Sequence, residues 1–181
     1  MRSRQLTRVA LFVALNVVTA QLSLTLGTVP LTMQTVSVRL AGYLLPVREA
    51  ALAQVAYVLL GLAGFPVFAG GTGGPQALVS PSFGYLLGFV LMAPSLSLLT
   101  RRFDPDRRLV PMLALGLATM PALFVPGVVH LKLLTGMPWR EAAMAGFAAF
   151  LVPDLVKIAL SAALARRIAR LGIWPPASGP G

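Results

Sequence analysis

The sequence has no cysteine, which excludes disulfides and thiolate metal sites. It has one histidine, His130, so a histidine cluster cannot hold a metal either. Acidic residues are scarce: five Asp and Glu against fifteen Lys and Arg leave a net charge of +10. Such an excess invites a nucleic-acid reading. The arginines, however, stand in short clusters at the ends of apolar runs, where membrane topology accounts for them, and no nucleic-acid partner is expected. Charge is rare overall: 11% of the 181 residues are charged and 57% are hydrophobic, a profile that points to a polytopic membrane protein over a soluble core. No Walker lysine follows the glycine-rich segment, so neither a phosphate loop nor ATP hydrolysis is expected. A lone histidine without cysteine argues against an intramembrane enzyme, and no inverted repeat points to a stand-alone secondary transporter. No cofactor or metal is expected.

What is present is a series of apolar runs. Arg2, Arg4 and Arg8 precede the first, Val9 to Leu26, which is long enough to cross a bilayer. Without a small-residue cleavage site it reads as a retained span. Gly27 to Pro30 break it, and a short second run ends near Leu45 and Pro46. Ala50 to Gly64 forms the third run and Phe83 to Thr100 the fourth. Leu109 to Leu134 is the fifth, interrupted by Pro121 and Pro126. Trp139 to Phe150 reads as a short amphipathic helix at the interface. Pro153 suits the first turn of a sixth span reaching about Leu171. The expected fold is an all-α bundle of six transmembrane helices in one domain, residues 1–171, with a disordered tail over 172–181. Six spans put both termini on one side. Eleven arginines then fall on the terminus side, against Lys132 and Arg140 on the other, which places both termini in the cytoplasm.

Between the third and fourth runs lies Gly61 to Tyr85, with seven glycines, three prolines and no charge. A loop this long in a compact domain is usually functional. A flexible connector is the plain alternative, but Phe65, Val67, Phe68, Leu78 and Val79 make this loop apolar. The expectation is that it closes over a small apolar molecule at the outer face.

Three charged residues lie near or within spans: Arg39, Asp154 and Lys157. Such groups are costly in lipid and are functional candidates by default. Asp154 and Lys157, three apart, share a helix face; a structural ion pair and a binding site are equally open readings. Arg39 either snorkels outward or turns inward to a carboxylate, and a short second span with little lipid around it favours the latter. His130 and Lys132 read as interfacial anchors. Ala10 and Ala14 place small residues one turn apart on the first span, where another helix can approach.

The runs Val29-Pro-Leu-Thr-Met-Gln-Thr35, Gly64-Phe-Pro-Val-Phe-Ala-Gly-Gly-Thr-Gly-Gly74, Gly84-Tyr-Leu-Leu-Gly-Phe89 and Phe150-Leu-Val-Pro-Asp-Leu-Val-Lys157 occur in this order. Together they resemble the BioY family, the biotin-binding S components of energy-coupling-factor (ECF) transporters. The resemblance covers about Leu6 to Arg170. It departs at Ser80-Pro-Ser-Phe83, where the family usually shows Gly-Pro-Thr-Gly. It implies a bacterial or archaeal cell-membrane protein that captures biotin from outside. It also implies partners, a transmembrane coupling protein and two cytoplasmic ATPase subunits, with Ala10 and Ala14 facing the coupling protein. For the site, Asp154 would accept a ureido N–H and Lys157 would donate to the ureido carbonyl. Gln34, Thr35 and the N–H groups of Gly70, Gly71, Gly73 and Gly74 would hold the valerate carboxylate, with charge added by Arg39. Phe68 and Tyr85 would flank the apolar body. The reverse orientation, with Lys157 on the carboxylate, stays open, as do an S component for another vitamin and a biotin transporter that works without its energising module.

Overall fold

A computed structural model describes residues 3–24, 29–104 and 106–172. The expected disordered tail lies outside them, apart from Gly172. The architecture is a helical bundle, and the order of its elements follows the apolar runs. Helix α1 spans Ser3–Gln21, α2 Gln34–Leu44, α3 Val47–Leu62 and α4 Phe83–Phe103. Helix α5 spans Leu109–Ala118, α6 Met120–Thr135, α7 Trp139–Ala143 and α8 Ala149–Arg170. Among the described residues, three continuous stretches are long and apolar enough to cross a membrane: Phe83–Phe103, Leu109–Thr135 and Trp139–Arg170.

Four expectations are corrected. The first run ends as a helix at Gln21, not Leu26. Strand β1, Ser23–Leu24, follows and pairs antiparallel with β2, Leu31–Thr32, in a small hairpin. Residues 25–28, which hold the rest of the expected first span and the start of the break after it, lie outside the described residues. The fifth run does break near Pro121, but as a hinge at Thr119 with the proline in the first turn of α6, where its missing N–H costs nothing, and it does not break at Pro126, which lies inside α6. The expected separate amphipathic helix is continuous with the sixth span: a π-helical turn, Met144–Ala148, joins α7 to α8. Pro153 therefore sits inside α8 and starts nothing.

Helix α2 is the centre of the packing. All eleven of its residues are buried, polar ones included. It is enclosed by α1, α4 and α8. At about 1.5 Å per residue it reaches only some 16 Å, half the hydrocarbon thickness of a bilayer. Helix α4 packs closely on α6 because Gly84 and Gly88 carry no Cβ. One at Gly84 would lie 2.4 Å from the Pro126 carbonyl oxygen, and one at Gly88 2.7 Å from that of Leu123. At one end of the bundle Arg8 of α1 pairs with Glu49 of α3 at 2.6 Å. The buried side chain of Asn16 donates to Gln54 at 2.9 Å and accepts from Ser37 at 2.5 Å, joining α1, α3 and α2.

Candidate ligand-binding site

The short reach of α2 leaves room above its first turn. There, β2, the Gly-rich loop and helices α4, α6 and α8 enclose a cavity of about 330 Å³. Val29, Leu86, Phe89, Leu123, Phe124 and Phe150 form most of its apolar wall. Pockets for small molecules have this character, apolar with a few placed polar groups.

The polar groups gather at one pole, built by α2 and α8. Asp154 and Lys157 both line the cavity, one turn apart on α8. They do not pair with each other. Asp154 takes both ends of the Arg39 guanidinium, Nη1 to Oδ1 at 3.0 Å and Nη2 to Oδ2 at 2.5 Å. Arg39 has turned inward and is wholly buried, but it stands behind Asp154 and does not reach the cavity wall. Its planar fork suits a carboxylate bidentately, and such pairs are the stronger kind. Lys157 Nζ donates to the Thr32 carbonyl of β2 at 2.7 Å. An ammonium has three donors, so that contact leaves capacity for a ligand. Each Asp154 oxygen likewise keeps a second lone pair. The pole thus holds two cations against one anion, at the N-terminus of α2, where helix-end N–H groups add further positive character.

Of the other expected site residues, Gln34, Thr35, Phe68, Gly73 and Tyr85 line the cavity. Gly70, Gly71 and Gly74 do not. They shape the loop instead. The N–H of Gly71 is spent on the Phe68 carbonyl at 3.1 Å, and that of Gly74 on Gly61 at 2.6 Å. A four-glycine anion nest is therefore not what the loop forms. Gly71 has φ +69°, a left-handed conformation. Gly73 is needed for another reason: a Cβ there would lie 2.1 Å from the Phe65 carbonyl oxygen.

Sequence reasoning missed Thr32, Thr72, Gln76, Ser80 and Ser82 as cavity residues. Ser80 and Ser82 fall in the stretch that departs from the family pattern, and their hydroxyls are 2.9 Å apart. His130 meets the Ser80 carbonyl oxygen at 3.1 Å, so it braces the loop. Tyr85 donates to the Gly146 carbonyl of the π-helical turn at 2.6 Å, which fixes its ring against the cavity. No group of His, Asp or Glu among the described residues could hold a metal.

A profile of the BioY family matches residues 1–173. The chain is 39% identical over 170 residues to a protein of Thermotoga maritima named biotin transporter BioY, covering 94% of this chain and 98% of that one. It is 35% identical over 168 residues to a probable biotin transporter BioY of Pyrococcus horikoshii, covering 93% and 98%. Its fold is similar to the crystal structure of an S component for biotin from an ECF-type ABC transporter, with TM-score 0.84 and 21% identity over 92% of this chain and 91% of that one. A profile match over nearly the whole length, together with relatives well above 30% identity, shows that the chain belongs to the BioY family.

Proposed function

We propose that this chain captures biotin at the outer face of the cell membrane and serves as the S component of an ECF-type transporter. The observation that carries the reading is the cavity itself. It has aromatic and aliphatic walls, one pole with Asp154 and Lys157, and a covering loop, in a chain of this family. Biotin has matching parts: an apolar bicyclic body, a ureido group with two N–H donors and one carbonyl, and a carboxylate. Asp154, held by Arg39, accepts a ureido N–H. A free N–H of Lys157 donates to the ureido carbonyl. The valerate chain then runs along Phe68 and Tyr85 towards the loop. A site that pairs such groups discriminates sharply against analogues that lack them.

The excess cation at the pole favours a second orientation, with the carboxylate on Lys157. The amide of biotin, neutral at the valerate, separates the two. If Lys157→Ala weakens biotin and its amide equally, Lys157 reads the ureido carbonyl. If the loss vanishes for the amide, it reads the carboxylate.

In the membrane the elements act as six crossings: α1, α2 with β2 above it, α3, α4, α5–α6 and α7–α8. Both termini are cytoplasmic by the arginine count, and the cavity opens outward. The energising partners are a transmembrane coupling protein and two ATPase subunits, and α1 offers them Ala10 and Ala14. Native mass spectrometry of the protein purified from cells supplied with biotin tests the function. An adduct of the mass of biotin, lost on exchange into biotin-free detergent and regained on addition, is the expected result. A different vitamin at that site would redirect the reading, and failure to regain biotin would end it.

A further inference from the structure

Tyr57 of α3 does not line the cavity, yet it joins the cavity to the loop that covers it. Its side chain is fully buried. Its hydroxyl accepts from Gln34 Nε2 at 2.7 Å and donates to the Val67 carbonyl at 3.0 Å. Gln34 lines the cavity, and its Oε1 accepts from the Thr32 hydroxyl at 3.2 Å. Thr32 in turn receives Lys157 on its carbonyl at 2.7 Å. Lys157, Thr32, Gln34, Tyr57 and Val67 are thus linked in order, and every donor points towards the loop. From the Thr32 hydroxyl through the Gln34 amide to the Tyr57 hydroxyl, hydrogen bonds aligned in this way polarise and strengthen one another; Lys157 joins them by fixing the Thr32 backbone, and so the place from which its hydroxyl donates. The next residue of the loop is fixed as well. The Phe68 ring meets Tyr57 edge-on, centroids 5.6 Å apart. It fills the space that a Cβ at Gly61 would occupy, and the Phe68 carbonyl accepts from Gln21 at 3.2 Å.

We propose that Tyr57 is a positioning residue that latches the Gly-rich loop over the cavity, and that its grip is set through Gln34 and Thr32 by what Lys157 holds. A ligand that draws Lys157 or Gln34 towards itself changes the same chain that secures Val67. The part concerning biotin rests on the proposed function; the latch itself is a property of the empty protein.

Tyr57→Phe removes the hydroxyl and keeps the ring against Phe68. Two readouts decide the matter. The first is cleavage of the empty, detergent-solubilised protein by chymotrypsin after Phe68, a bond that the closed loop protects. Tyr57→Phe should speed this nicking roughly two- to ten-fold, the range for one lost hydrogen bond. Thr32→Val should do the same, and the double variant should be no faster than the faster single, because both break one chain. The second is biotin kinetics. Tyr57→Phe should raise the dissociation rate by a similar factor and leave the association rate within two-fold, a split that general loosening of the fold would not give. Unchanged nicking in both single variants, or additive effects in the double, would overturn the latch. If the parent binds no biotin, the functional reading fails while the nicking result still decides the latch.

Discussion

Arg39 is wholly buried, and among the described residues its one ion-pair partner is Asp154. Removing one member of such a pair strands the other, at about 3–5 kcal/mol, whereas replacing both by apolar groups is often neutral. Asp154→Asn should therefore lower thermal stability in detergent as well as biotin affinity. Arg39→Met combined with Asp154→Leu should recover much of the stability and none of the binding. A double variant as unstable as Asp154→Asn alone would contradict this account of the pair. Lys157 differs, since it gives one bond to a backbone carbonyl; Lys157→Ala should weaken biotin by roughly 1.5–3 kcal/mol, the range for a hydrogen bond to a charged group, and leave melting nearly unchanged. The spacing of Asp154 and Lys157 made their shared face legible in the sequence. That Arg39 turns inward to a carboxylate was legible too; that the carboxylate is Asp154, and that Lys157 meets the Thr32 carbonyl, was not, because those contacts depend on how α2 and β2 sit against α8, more than a hundred residues away in the chain.

The Gly-rich loop holds glycines needed for two different reasons. Gly71 has a left-handed φ with nothing within 4 Å of a built Cβ, so the demand there is conformational. Gly73 lies against the Phe65 carbonyl, so the demand is for space. Gly71→Ala should cost roughly 1–2 kcal/mol in loop stability and leave biotin binding measurable. Gly73→Ala must push one loop strand off the other and should reduce affinity more. Titration calorimetry on the two variants ranks them, and a larger loss for Gly71→Ala would contradict the assignment. Composition marked this loop as functional, but glycine spacing does not reveal which glycine faces backbone and which faces solvent. The join between α7 and α8 was hidden for a related reason. A π-helical turn inserts one residue, which shifts the phase of the apolar stripe by about 100° while the helix continues, so the pattern reads as two helices and Pro153 as a start, although it lies inside a helix that has already begun. Helix α2 was legible as short; enclosed by protein, it tolerates Arg39 because Asp154 pairs with it and Ser37 because Asn16 accepts its hydroxyl.

At the scale of the molecule, the proposed site and the proposed docking face lie apart. Ala10 and Ala14 are exposed on α1, beside exposed Leu6, Leu11 and Val18, whereas Asn16 and Phe12 on the same helix face the core. Ala14→Trp should leave biotin binding and melting unchanged while abolishing co-purification with the coupling protein, because close helix approach needs small side chains. Joint loss of stability and binding would instead place these alanines in the bundle's own packing. The central claim is that the cavity between α2, α8 and the loop is a biotin site whose polar pole reads the ligand. The most direct measurement is equilibrium titration of purified parent and Lys157→Ala with biotin, side by side. The account predicts one site per chain in the parent and a dissociation constant roughly ten- to a hundred-fold higher in the variant, at equal folded fraction. Equal affinity in two equally folded proteins would contradict it.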